Sequence, residues 1–122
     1  MIKITIWCGE KGYKGFEVLG HSGYADIGSD IVCAGVSAVA QTAVNMATEV
    51  LNLDFMIDLD AKAGKLKCIL EETTYDGAPN EVGNNTDLIV WEKTVQALKA
   101  TFCILAEQYP ENIRINEMTD CH

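Results

Sequence analysis

Four side chains able to do chemistry stand within seventeen residues, in the stretch GHSGYADIGSDIVCAGVSA: His21, Asp30, Cys33 and Ser37. Asp30, or Ser29 before it, has the side chain that caps a helix N-terminus. With Asp30 as cap, Cys33 is the third helical residue. The first turn of a helix carries unpaired N–H groups and a partial positive charge. That setting stabilises a thiolate. The same N–H groups would donate to an oxyanion formed when a thiolate attacks a carbonyl. A histidine within reach would take the thiol proton and return it to the leaving amine. Asp30 would then either orient His21 or only cap the helix. Ser37 lies one turn beyond Cys33 on the same helical face. Gly20, Gly23 and Gly28 give the intervening segment loop chemistry and freedom to move over a substrate. Gly35 costs about 1 kcal/mol relative to alanine inside a helix, which a backbone approach by substrate or close packing would justify.

Other readings of these residues stay open at this point. A cysteine in an apolar helix is commonly a packing residue, and a loop histidine is commonly solvated. A metal site built on His21, Cys33 and an acid lacks a recognised ligand spacing and a fourth ligand, so no metal or cofactor is expected. Cys121 and His122 sit at a terminus that frays. Asp54, Asp58 and Asp60 fit the wet face of a strand. No GxGxxG, Walker loop or HExxH is present.

The elements that must hold these groups are legible from hydropathy period. Ile2, Ile4 and Ile6 alternate with Lys3, Thr5 and Trp7, which predicts a half-buried strand. Gly9 to Lys14 is turn-like. Phe16 and Val18 continue into a second strand that ends at Gly20 and His21, giving a hairpin. A helix follows to about Leu51, with Val32, Val36, Val39, Ala43, Met46 and Val50 recurring at steps of four and three. Its other positions are mostly Ala, Ser and Thr, so much of it should be buried. Leu53, Phe55, Ile57 and Leu59 form a third strand, and Leu66, Cys68 and Leu70 a fourth, joined by a tight turn over 61–64. Lysines and aspartates should pair across the wet face of that hairpin. Residues 73–85 form a polar loop, the best candidate for disorder. A second helix should start near Thr86 or Asp87, with Leu88, Trp91, Val95, Leu98, Phe102 and Leu105 as one apolar stripe that serves the core or the core plus a dimer contact. Tyr109 before Pro110 stops it, and Ile113 and Ile115 mark a short last strand. The order ββαββαβ predicts a two-layer α+β domain spanning residues 1–122: a mostly antiparallel sheet of about five strands with both helices on one face.

The chain has 122 residues, enough for one hydrophobic core. Net charge is −9, which disfavours nucleic acid and anionic membrane and suits a basic protein partner. No apolar run is seen to approach the ~20 residues of a membrane span, and the first ten residues lack a signal-peptide pattern, so the expected location is cytoplasmic. The five cysteines are odd in number and form no CxxC. Reduced thiols, with Cys8, Cys68 and Cys103 at apolar positions, explain them better than a disulfide framework.

The stretch around His21 and Cys33 resembles the signature of the bacterial ribosomal-processing cysteine protease family Prp. The pattern there runs GH, a glycine-containing loop, then DIVCAGVSA. The likeness extends along the chain, from MIKITI at the start to LAEQYPENIRI near the end. Ser22 stands where many members carry alanine, while His21, Asp30, Cys33 and Ser37 all match. The resemblance implies a small cytoplasmic α+β homodimer. It implies removal of a short N-terminal extension from large-subunit ribosomal protein twenty-seven, after aromatic residues and before an alanine. It further implies Cys33 as nucleophile, His21 as general base, supporting roles for Asp30 and Ser37, and a loop 20–29 that orders on substrate binding. The competing expectation is a non-catalytic ribosome-assembly or peptide-binding module, and a weaker one is a thiol redox sensor without an obvious resolving partner.

Overall fold

The computed structural model describes residues 1–9, 12–21, 30–71 and 82–119, and for 82–85 the backbone alone. The elements in chain order are β1 (Ile2–Gly9), β2 (Gly12–Leu19), α1 (Ile31–Asn45), β3 (Phe55–Asp60), β4 (Lys65–Leu70), α2 (Val82–Gln108) and β5 (Ile113–Thr119). One five-stranded sheet has the order β3-β4-β2-β1-β5. β1 pairs antiparallel with β2, β2 with β4 and β4 with β3, while β5 runs parallel to β1. This is the expected α+β architecture, five strands and two helices, with one parallel pair at the edge.

Alternation decides which face is dry. Ile2, Ile4 and Ile6 of β1, Phe16 and Val18 of β2, Cys68 and Leu70 of β4 and Ile113 of β5 all point to one side. Both helices cover that side. α1 contributes Val32, Val36, Ala40, Ala43 and Val44, and α2 contributes Trp91, Val95, Leu98 and Phe102. Each fully buried side chain of this size stabilises by about 1.5–3 kcal/mol. Trp91 is the main tie between the layers. Its indole N–H donates to the Lys14 carbonyl at 2.7 Å, and its ring meets Phe55 edge-on at 4.6 Å.

Several boundaries differ from the sequence expectation. Gly12 to Lys14, expected in a turn, are strand residues, with Gly9 opposite Gly12 and Cys8 opposite Tyr13. A register shift between Trp7 and Cys8 absorbs the mismatch. α2 begins at Val82, about a turn before Thr86, and the Asp87 carboxylate, expected as a possible cap, accepts the Asn52 N–H at 2.9 Å. Four of the residues assigned to a loop over 73–85, namely 82–85, form α2's first turn instead, while 72–81 lie outside the described residues. β5 extends to Thr119 because parallel pairing with Ile2 to Cys8 of β1 gives each of its residues a partner.

α1 continues as a π-helical turn, Met46–Val50, and stops at Leu51 as expected. Its buried stripe includes Ala40, Val44 and Ala47, whereas Val50, placed in the stripe by spacing, is exposed. The wider π turn rotates the last residues off the helical period. The segment Ile31–Val50 is in fact long and apolar enough, by length and composition, to cross a membrane, contrary to expectation. Its apolarity comes from the alanines and valines that pack on the sheet. At the other hairpin, the Lys65 ammonium reaches Asp58 at 2.8 Å, diagonally across the β3–β4 pair, as the charge pattern predicts.

Candidate active site

Three chain segments meet where β2 ends. The first is the β2 exit. Gly20 takes φ +99, a conformation that disfavours any side chain, and a Cβ there would stand 2.6 Å from the Met1 carbonyl oxygen. The strand therefore turns against the start of β1, and the main-chain nitrogen of Met1 donates to the His21 carbonyl at 2.5 Å. His21 leaves this turn exposed.

The second segment is the start of α1. Asp30 is extended, with φ −82 and ψ 98, and its Oδ1 accepts the Cys33 N–H at 3.0 Å. Its carbonyl accepts the Ala34 N–H at 3.1 Å. Asp30 is thus the N-cap. The Cys33 and Ala34 N–H groups are both engaged by it, so these two are not the oxyanion donors that the sequence suggests. The positive end of the helix dipole remains at the site. Ser37 follows Cys33 by one turn and lines the same cleft. Gly35 has no atom of the described residues within 4 Å of where a Cβ would stand, so none of those residues packs closely on it.

The third segment is the β3–β4 turn, which sequence reasoning did not connect to the site. Asp60 is more than a wet strand residue. Its Oδ1 accepts the N–H groups of Lys62 and Ala63 at 3.1 and 3.3 Å and so shapes the turn. Gly64, at φ +63, closes it, and its carbonyl accepts the Gly20 N–H at 3.0 Å. The spacing of Asp60 and Gly64 marks a turn in the sequence, but nothing local says what the turn will touch.

Together these segments enclose a cleft of about 410 Å³. His21 and Cys33 both line it. Its floor is apolar, from Ile2, Val18, Val36 and Leu66, and Gln41, Asp60 and Lys65 stand at its polar side. Gly20 belongs to the rim, while Gly23 and Gly28, Ser22 and the remainder of 22–29 lie outside the described residues. So do Cys121 and His122. Among the described residues no cluster of three metal-ligating side chains occurs.

The other cysteines have different surroundings. Among the described residues, Cys8, Cys33, Cys68 and Cys103 are joined in no disulfide. Burial pushes the Cys68 thiol up to about 12. Burial, then the hydrogen bond to Glu117, pushes Cys8 up to about 11. Neither is an anion near neutral pH. Cys33 is the described thiol that lines a cleft with an imidazole, and a thiol and an imidazole in one cleft are a pair that can carry out acyl transfer.

The comparisons agree with this chemistry. The family model described as "Cysteine protease Prp" matches residues 1–114. The ribosomal processing cysteine protease Prp of Staphylococcus aureus (strain Mu50 / ATCC 700699) is 29% identical over 118 residues, covering 95% of this chain and 98% of that protein. Its counterpart in Bacillus subtilis (strain 168) is 38% identical over 55 residues, a match that spans 45% of this chain and 49% of that relative. A crystal structure of an essential ribosomal processing protease Prp from S. aureus, with a covalently linked product peptide, superposes with a TM-score of 0.76 at 25% identity. It covers 97% of this chain and 100% of that one. SMU.848 from Streptococcus mutans gives 0.72 at 25% identity, covering 98% and 96%.

Proposed function

This chain belongs to the cysteine protease Prp family, and we propose that its protease activity removes the short N-terminal extension of large-subunit ribosomal protein twenty-seven, with Cys33 as nucleophile and His21 as general base. The observation that carries the assignment of roles is the shared cleft: Cys33 from the start of α1 and His21 from the end of β2 line one cavity with an apolar floor.

The chemistry follows from those two groups. His21 takes the Cys33 proton as Sγ attacks the scissile carbonyl carbon, and the carbonyl oxygen becomes an oxyanion. Collapse of that intermediate breaks the C–N bond, and His21 returns the proton to the leaving amine. A water molecule then attacks the thioester, losing its proton to His21, and the Cys33 thiol is regenerated as the acid leaves. The dipole of α1 favours the negative charge that develops beside Cys33. Asp30 supports the nucleophile by fixing the first turn that carries it, and Ser37 adds a hydroxyl to the same wall.

The substrate assignment is supported by the resemblance of the GH…DIVCAGVSA stretch and by the ribosomal processing named for the relatives. The net charge of −9 suits a basic ribosomal protein. We place the reaction in the cytoplasm and the chain in a homodimer on the same resemblance. Light scattering on the eluted protein tests the dimer.

The test of function is cleavage of a peptide spanning the extension junction of the ribosomal protein from the same organism. Wild type should cut it before the alanine. Cys33→Ala and His21→Ala should leave it intact while retaining the wild-type circular dichroism spectrum. Equal survival of the peptide with wild type and Cys33→Ala refutes the assignment, and binding without cleavage would favour an assembly module.

A further inference from the structure

We propose that Gly64 is the positioning residue for His21, so that the β3–β4 turn sets where the general base stands. The inference rests on the protease reading above but adds an element remote in sequence from both groups of the dyad.

Two contacts carry it. The Gly64 carbonyl accepts the Gly20 N–H at 3.0 Å, which ties the turn to the residue immediately before His21. The bare Cα of Gly64 also packs against the site. A Cβ there would stand 2.6 Å from the Gly20 carbonyl oxygen and 3.1 Å from His21 Cε1. The first distance is impossible without movement of backbone, and the second presses on the imidazole itself. The turn is in turn held on its far side. Asp60 accepts the Lys62 and Ala63 N–H groups, the Gly64 N–H reaches the Ala61 carbonyl at 3.2 Å, and Lys65 is paired with Asp58. With these contacts kept, a new methyl group displaces Gly20 and His21 rather than the turn. The required displacement is roughly 1 Å, a misplacement that costs on the order of a hundredfold in rate at a catalytic centre.

Gly64 has a second reason to be glycine, its φ of +63, and the experiment separates the two. Asparagine tolerates that conformation better than alanine, but both carry the Cβ. Gly12, at φ +125, lies at the opposite end of β2, where a Cβ would meet the flexible side chain of Glu92. Peptide cleavage and thermal unfolding are measured for wild type, Gly64→Ala, Gly64→Asn and Gly12→Ala. The His21 Cε1–H resonance is followed in parallel against pH, in a His122→Gln background that leaves one histidine signal.

Both Gly64 variants should lose about a hundredfold in kcat, with KM little changed, and both should move the His21 resonance. Gly12→Ala should lose stability without either effect. The proposal is overturned if Gly64→Asn cleaves like wild type with the His21 signal unmoved. It is equally overturned if Gly64→Ala alone is impaired, since backbone strain then explains everything. Failure of the protease reading looks different: wild type does not cleave, or His21→Ala does, while the resonance still reports whether Gly64 places the imidazole.

Discussion

Replacing Gly35 by alanine should stabilise this protein. Glycine within a helix is disfavoured by about 1 kcal/mol relative to alanine, mainly through the freedom that the unfolded chain loses. At most buried positions a steric term opposes that gain. Here a Cβ meets no atom of the described residues within 4 Å, so none of those residues subtracts from it. With a urea m-value of about 2 kcal/mol per molar for a chain of this size, the midpoint should rise by about 0.5 M. Urea titration followed by circular dichroism at the helix band reads this directly. An unchanged or lowered midpoint refutes the reasoning, because some part of the molecule must then occupy the space beside Gly35. The same variant informs on catalysis. If a peptide backbone passes over this point of α1, Gly35→Ala raises KM while the folded protein is more stable, a combination that damage to the fold cannot produce.

Asp30→Ala should cost about 1 kcal/mol by removing the N-cap, and Asp30→Asn only a few tenths, as read by urea midpoints. Equal losses would mean that charge rather than capping matters there. Trp91→Phe takes a donor from the buried Lys14 carbonyl and should lower stability by about 1–3 kcal/mol, measured by thermal or urea unfolding; an unchanged midpoint would refute that tie between layers. Glu117 is held below the ordinary carboxylate range first by its hydrogen bond from Cys8 and then by Lys99, which sits 3.1 Å away. Its contribution is present above the unfolded value near 4.5 and is lost as pH falls through the lower folded one. The stability gap between wild type and Glu117→Gln should therefore be open at pH 7 and close in acid; a gap independent of pH would sink the argument. Cys8 works in the opposite sense. Its raised value near 11 gives stability that is full below 9 and fades between about 9 and 11, a loss that Cys8→Ala should not show in alkaline unfolding curves.

The parts of this protein that depend on neighbours in the chain were written in its sequence. The alternation of Ile2, Ile4 and Ile6 marks a strand because side chains of a strand alternate between faces, and all three are buried. The stripe from Leu88 to Leu105 marks a helix because those positions share one side of a 3.6-residue period, and Trp91, Val95, Leu98 and Phe102 are its buried centre. Asp30 caps Cys33 across three residues, a local hydrogen bond that its position foretells. Tertiary structure decided what local rules leave open. Gly9 to Lys14 looks like a turn in isolation, yet cross-strand pairing recruits most of it. The parallel register of β1 with β5 joins residues more than a hundred positions apart, and no periodicity encodes it. The same is true of the cleft. Its histidine and cysteine lie only twelve positions apart in sequence, but its third wall comes from a turn some forty residues after His21, brought beside it because β4 pairs with β2. Side-chain period determines which face a residue takes; only strand order determines which turn it meets, and that order is set by the packing of the whole sheet against both helices.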